Sequence, residues 1–423
     1  MKFVSTRGRA PAVSASEAML QGLAPDGGLY VPCSWPTFDV ERLAASEPFA
    51  ALAARILRPF FVGDALEGRL EALCERALDF PMPLVHLTRR TSVLELFHGP
   101  TAAFKDFGAR FLASCFEDLL ESRSERLTVL VATSGDTGAA VASACHRMQR
   151  LRVGILFPKG GVSPRQEQQL TCWDDNVLSF AVRGTFDDCQ RLVKAAFAHR
   201  GWPAAGRLSS ANSINIGRLL PQAVFYAVAS LRYRQERGRA AGFIVPSGNI
   251  GSAVAAFWAK RMGFPVREIA LASNANRVVP DWFDTGDWQP RQSIRTLANA
   301  MDVGHPSNME RLFQLYPQRQ SLLAHAQALA VDDETIRREI AMGPEKWGRV
   351  WCPHTATAAH FRERLASDDW VIVATAHPAK FESIVEPLIG ERVELPAQLR
   401  ELLERPSRFE EIDADLDQLV ARM

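Results

Sequence analysis

The sequence predicts an α/β protein with parallel sheet, preceded by a mostly helical leader. A strand, a glycine turn, a helix and a second strand succeed one another from Leu127 to Phe157. A second strand, glycine turn and helix run from Ala241 to Met262. A strand that feeds a helix returning to the same sheet pairs in parallel with the next strand, so each succession reads as part of a βαβ unit. The third observation is content: 47 % of the 423 residues are hydrophobic, which supplies a large core and fits two or three domains.

Composition excludes several partners. Lys plus Arg number 49 against 48 Asp plus Glu, for a net charge of +1, and no basic stripe stands out, so no nucleic acid is expected. No apolar run is long enough to span a bilayer, so no membrane is expected either. Met1 to Pro11 carries two arginines and no apolar stretch of the secretory kind. The seven cysteines are scattered without a Cys-x-x-Cys pair, which predicts a reduced, cytoplasmic setting without structural zinc. His354 and His360 are six apart, the wrong spacing for a shared metal, so no metal is expected.

Residues 1–80 read as the helical leader. Thr6-Arg7-Gly8 and the run from Gly22 to Pro32 bracket its first helix, and Pro25-Asp26-Gly27-Gly28 signals a tight turn into a short strand. Phe80-Pro81-Met82-Pro83 reads as a hinge. A strand over Val93–Phe97 then delivers a helix. Gly99-Pro100 breaks the chain, Thr101 can cap this helix, and Phe104, Phe107, Phe111, Leu112, Cys115, Phe116 and Leu119 recur at helical spacing. Lys105 shares a face with Ala109, Leu112 and Phe116. Lost hydration and the positive field of a helix start both favour its neutral amine, the form a Schiff-base lysine needs. Asp106 and Arg110, four apart, can pair with each other and leave Lys105 without a carboxylate partner. On its own this pattern equally suits a snorkelling lysine on a core helix.

After the strand Leu127–Ala132 comes the turn Thr133-Ser134-Gly135-Asp136-Thr137-Gly138, then the helix Ala139–Met148 and the strand Leu151–Phe157. A loop that opens a helix aims free N–H groups at an anion, or is simply a turn. Beyond the next strand end, Lys159, Ser163 and Arg165 could present donors to a phosphate or form a solvated basic loop. Ser209 to Arg218 is polar and leads into the apolar helix Leu219–Leu231; it suits an anion contact or a cap with an exposed arginine. Ser247-Gly248-Asn249-Ile250-Gly251-Ser252, between the strand Ala241–Pro246 and the helix Ala253–Met262, is a second cradle for a dianion, a nucleotide phosphate included. Residues 310–350 read as a helical cap. Pro353 to Ala358 opens a helix, and the strand Trp370–Ala374 ends at Thr375-Ala376-His377-Pro378-Ala379-Lys380-Phe381.

The string from His98 to Asp106 closely resembles the cofactor-lysine segment of threonine synthases, in the tryptophan-synthase-like (fold type II) group of pyridoxal-phosphate enzymes. Thr375–Phe381, Ser247–Ser252, Asn212–Arg218 and Thr296–Asn308 resemble further segments of that family, in the same order. The resemblance implies two open twisted sheets with helices on both faces: residues 1–80 as the N-terminal module, 81–423 as a catalytic core of two α/β lobes. It implies pyridoxal 5′-phosphate, with Lys105 as catalytic and cofactor-bonded lysine. Gly248, Asn249, Ile250, Gly251 and Ser252 would hold the cofactor phosphate. Thr375 would bond the pyridine nitrogen, and a neutral hydroxyl there leaves that nitrogen largely unprotonated. Ser134, Gly135, Asp136 and Thr137 would take the substrate carboxylate, and Lys159, Ser163, Ser213, Asn215 and Arg218 the substrate phosphate. The family often has Asn or Asp at the position of Ser252 and an aromatic at that of Ile250, a mild departure. The implied reaction converts O-phospho-L-homoserine and water to L-threonine and phosphate, in a monomer or homodimer. A threonine dehydratase or a β-replacement enzyme would need no second phosphate site, and a catalytically silent relative could bind phosphorylated ligands. A dinucleotide-dependent oxidoreductase lacks its Gly-x-Gly-x-x-Gly turn.

Overall fold

The computed structural model describes residues 1–123, 125–199, 207–366 and 368–423. In chain order the first strands are β1 (Phe3–Ser5), β2 (Tyr30–Pro32), β3 (Leu84–His86), β4 (Thr91–Glu95), β5 (Leu127–Ala132) and β6 (Leu151–Pro158). After them come β7 (Val177–Arg183), β8 (Arg207–Ser210), β9 (Ala241–Pro246), β10 (Val266–Ser273), β11 (Ala326–Ala330), β12 (Trp370–Ala374) and β13 (Glu410–Asp413). Among the described residues these form a β1–β2 pair, a six-stranded sheet in the order β11-β10-β9-β12-β4-β3, and a five-stranded sheet in the order β13-β7-β6-β5-β8. All neighbours in the two large sheets are parallel except β3, which runs antiparallel on the edge beside β4. The α/β class with two parallel sheets is therefore as expected.

Every residue of β4, β5, β9 and β12 is buried, as strands covered by helices on both faces must be. β5, β9 and β12 have the predicted bounds. β4 begins two residues earlier than predicted, because Thr91 and Ser92 pair with Trp370 and Val371. The 310–350 region is helical over Met309–Leu315, Arg319–Leu323 and Asp333–Trp347 but also contains β11, whose Ala-Gln-Ala-Leu-Ala sequence carries no β-branched residue to announce a strand.

The leader packs behind the Lys105–Arg123 helix. Phe49 and Phe80 meet Phe107 at ring distances of 5.7 and 4.6 Å, and Phe61 meets Phe111 at 6.3 Å. Such edge contacts are worth about 0.5–1.5 kcal/mol each beyond the area they bury. Phe80 and Met82 are buried, so the expected hinge is a packed join rather than a free linker. No helix among the described residues is long and apolar enough to cross a membrane.

Candidate active site

Four parallel strands deliver side chains to one cavity from their carboxyl ends, where open α/β sheets receive ligands. β4 leads to Phe104 and Lys105, β5 to the 133–137 turn, β9 to the 248–252 turn and β12 to Thr375; Ser213, Arg218 and His354 complete the wall.

Two backbone hydrogen bonds tie the lysine segment to the threonine segment. Phe104 N–H donates to the Thr375 carbonyl (2.8 Å) and His377 N–H to the Ala102 carbonyl (3.0 Å), with Ala102 in the left-handed region at φ 54°. Burial pushes the Lys105 ammonium down to about 8, against the pull of Asp136 and with help from Arg218 and Lys380. The amine is thus less basic than usual, the expected direction, but not for every reason predicted. Asp106 does not pair with Arg110. Its carboxylate accepts from the Thr101 N–H (2.9 Å) and hydroxyl (2.7 Å), and Gly99 packs so closely that a Cβ there would lie 2.6 Å from Oδ2. Thr101 therefore secures this fold-back rather than capping the helix. Arg110 reaches Asp79 (2.8 Å) and the Ala77 carbonyl (2.9 Å) at the surface. The carboxylate near Lys105 is Asp136, from a different strand end.

The first turn is organised by Thr133, whose hydroxyl accepts from the N–H groups of Gly135 (3.0 Å) and Gly138 (2.9 Å). Gly135 sits at φ 130°, a conformation side chains resist. It does not line the cavity itself, whereas Ser134, Asp136 and Thr137 do. Asp136 is no free group for a substrate carboxylate. It pairs with the fully buried Lys380 at 3.0 Å and accepts from Gln166 at 3.2 Å. Burial alone would raise its pKa, but Lys380 and then Lys105 more than offset this and hold it below the usual carboxylate range.

The second turn rests on neutral groups. The Asn249 amide donates to the Ser213 hydroxyl (2.7 Å), and its oxygen accepts from Ser307 N–H (2.6 Å). Ser252 shares a 2.8 Å hydrogen bond with the Tyr226 hydroxyl. The helix begins at Gly251, so its first N–H groups open toward the cavity. Gly248 has no room for a side chain: a Cβ would stand 2.5 Å from the Met301 Cα. Ile250 is left-handed at φ 48°, a strained state for a β-branched residue.

Three predicted phosphate contacts lie elsewhere. Lys159 is exposed and pairs with Glu411 at 2.6 Å, the partner arriving on β13. Ser163 forms a capping box with Gln166 at the start of the Pro164–Thr171 helix and donates to the Lys380 carbonyl (3.0 Å). Asn215 caps the Ile216–Arg237 helix and donates to the Met19 and Ser210 carbonyls (2.8 and 2.9 Å). Ser163 and Asn215 have their polar atoms committed to holding the fold, and Lys159 is engaged in a surface ion pair. Of that group, Ser213 and Arg218 do face the cavity. His354 and Lys380 were not anticipated at the site. Their only local signals were a histidine at a helix start and a lysine inside the segment after β12.

Glu339, His360 and Glu363 bring possible ligand atoms within 4.8 Å of one another, away from the cavity. Lys346 lies in the same cluster, 3.7 Å from Glu339 and in contact with Glu363, so an ammonium already meets that charge.

The cavity suits the group implied by the resemblance. The Thr375 hydroxyl, Arg218 Nε and His354 Nδ1 are buried there without a hydrogen-bond partner among the described residues. Buried polar atoms are normally satisfied, so unpaired ones converging on one cavity mark a ligand's place. A hydroxyl for a ring nitrogen, a helix start for a phosphate and, for an aldehyde, a lysine whose basicity burial lowers to about 8 are all present.

A family model described as pyridoxal-phosphate dependent enzyme matches residues 80–376. Models for the threonine synthase N terminus and the threonine synthase C-terminal region match residues 2–78 and 355–422. Threonine synthase of Serratia marcescens is 38 % identical over 426 residues, covering 99 % of this chain and 98 % of that protein. That of Escherichia coli (strain K12) is 38 % identical and covers 98 % and 97 %. The crystal structure of threonine synthase from Escherichia coli superposes with a TM-score of 0.93 at 37 % identity, covering 100 % of this chain and 99 % of that one. A pyridoxal-phosphate-bound threonine synthase from Brucella melitensis gives 0.93 at 35 % identity, covering 100 % and 98 %. The chain belongs to the threonine synthase family of pyridoxal-phosphate-dependent lyases.

Proposed function

We propose that the chain converts O-phospho-L-homoserine and water to L-threonine and inorganic phosphate. The observation that carries this reading is a buried guanidinium, Arg218, with no ion pair among the described residues, in the same cavity as a lysine amine pushed down to about 8. A dehydratase acting on an uncharged side chain has no use for that second anion contact.

Lys105 would hold the cofactor, the turn Gly248–Ser252 its phosphate and Thr375 its ring nitrogen. Bound pyridoxal phosphate supplies an electron sink for carbanions at the substrate carbons. With its amine free, Lys105 Nζ would take the Cα proton and return protons along Cα, Cβ and Cγ, a task its lowered basicity suits. The N–H groups at the start of the Asp136–Cys145 helix, with Ser134 and Thr137, would hold the substrate carboxylate. Asp136 contributes through Lys380, which cancels a charge that would otherwise repel that carboxylate. Arg218 and the Ser213 hydroxyl would read the substrate phosphate; Arg218, lowered to about 10 by burial, still carries its charge at neutral pH.

Residues 1–80 would serve as the module that buries the back of the Lys105 helix, and 81–423 as the catalytic core. A cytoplasmic setting agrees with free cysteines, all buried but Cys33, and the chain would act as a monomer or homodimer.

The test is phosphate release from O-phospho-L-homoserine against ammonia release from threonine, read beside the visible spectrum of the purified protein. Lys105→Ala is expected to abolish both phosphate release and the yellow colour. Phosphate release persisting in that variant would overturn the role of Lys105; ammonia without phosphate from the wild type would overturn the substrate.

A further inference from the structure

His354 is the second residue of the Pro353–Arg364 helix and is buried beside Lys105 and Thr375 in the cavity wall. The Ala300 backbone N–H points at its Nε2 from 3.1 Å. An amide N–H can only donate, so Nε2 holds a lone pair and the proton of the neutral ring is on Nδ1. That Nδ1–H has no acceptor among the described residues. The ring cannot easily turn to find one, being clamped by Ala300 on one side and packed edge-on to Phe381 at 5.0 Å. Burial, with Lys105 and Lys380 nearby, outweighs the pull of Asp136 and lowers its pKa to about 4, so the ring is an uncharged donor near neutrality.

We propose that His354 donates its Nδ1–H to an anionic oxygen of the ligand that fills the cavity, making it a further binding residue for the reaction proposed above, on which this inference rests. Two oxygens have that chemistry: the phenolate of the cofactor and the carboxylate of the substrate. No proton is transferred, because a neutral imidazole that gave one up would become an imidazolate. His354 holds and orients, and Lys105 moves the protons.

The experiment uses the full-length protein with His354→Phe, which keeps ring volume without a donor, and His354→Asn, which returns an N–H near Nδ1. Cofactor affinity is measured by titrating pyridoxal phosphate into resolved protein. Substrate affinity is measured by spectral titration of the loaded protein with a non-reacting substrate analogue in which CH2 replaces the ester oxygen. Loss of a hydrogen bond to a charged acceptor predicts a roughly ten- to hundredfold weakening in the Phe variant, largely recovered by Asn. Weaker cofactor binding with a displaced absorption band identifies the phenolate; an unchanged band with weaker analogue binding identifies the carboxylate. Nitrogen-15 histidine spectra of the wild type are expected to show the Nδ1–H tautomer, an outcome independent of either variant's folding. An Nε2–H tautomer, or both affinities unchanged in the Phe variant, overturns the proposal. A wild type that binds cofactor but releases no phosphate defeats the proposed reaction and leaves the cofactor titration and the tautomer still readable.

Discussion

The two glycine turns look alike in sequence and differ in how they are held. The turn after β9 is braced by neutral groups: Asn249 on Ser213 and Ser307, Ser252 on Tyr226. The turn after β5 contains a buried carboxylate, Asp136, held by the buried Lys380. The first arrangement leaves helix-start N–H groups free for a dianion. The second accepts an anion only because an ammonium from the far end of the chain cancels the local charge. Equal glycine content therefore does not mean equal chemistry; the supporting side chains set which ligand each turn can take.

Removing the ammonium should break this difference most. Lys380→Met leaves Asp136 buried with only the reluctant Lys105 nearby, at a cost of about 3–5 kcal/mol by denaturant unfolding. The sign with pH is definite. In the wild type the lowered Asp136 pKa adds stability above its ordinary value of 3.8, lost as pH falls toward the folded value. In the variant the folded pKa rises instead, so the penalty is least in acid and grows as pH climbs through the carboxylate range. Pairing the change with Asp136→Asn should restore most of the loss. A single variant as stable as the wild type at neutral pH would mean that the pair is not the brace.

Gly248→Ala tests the neutral turn. The new Cβ meets the Met301 backbone at 2.5 Å, so overpacking should cost about 1–3 kcal/mol and weaken cofactor binding in a titration. At Gly135 the obstacle at the same distance is the Gln166 amide, a buried side chain held by Asp136 and Ser163, and the left-handed backbone adds resistance of its own. Cofactor affinity should suffer more from the first change than the second. Lys159→Ala should leave the KM for the phosphorylated substrate and the melting temperature close to wild type, since its partner Glu411 is a surface group.

Parallel-sheet architecture was legible because buried strands such as β5, β9 and β12 are short apolar runs between glycine turns. Lys105, Thr375 and the Gly248–Ser252 turn were legible because their spacing within one segment survives folding. Ser163 and Asn215 are ambiguous in sequence for a physical reason. A hydroxyl or amide before a helix can cap it or hold a ligand, and only the three-dimensional neighbours decide. The sequence around Lys159 does not show its surface partner Glu411, which arrives on β13 from far along the chain. His354 and Lys380 escaped notice because their roles rest on Ala300 and Asp136, which no local pattern connects to them.

The two hydrogen bonds that join Ala102–Phe104 to Thr375–His377 act as a caliper. They set the gap between amine and hydroxyl by peptide dimensions rather than by side-chain choice. Both segments follow β4 and β12, paired neighbours in one sheet, so they are carried as one piece. Lengthening the chain by one residue between Ala103 and Lys105 would spoil that gap while leaving every active-site side chain present.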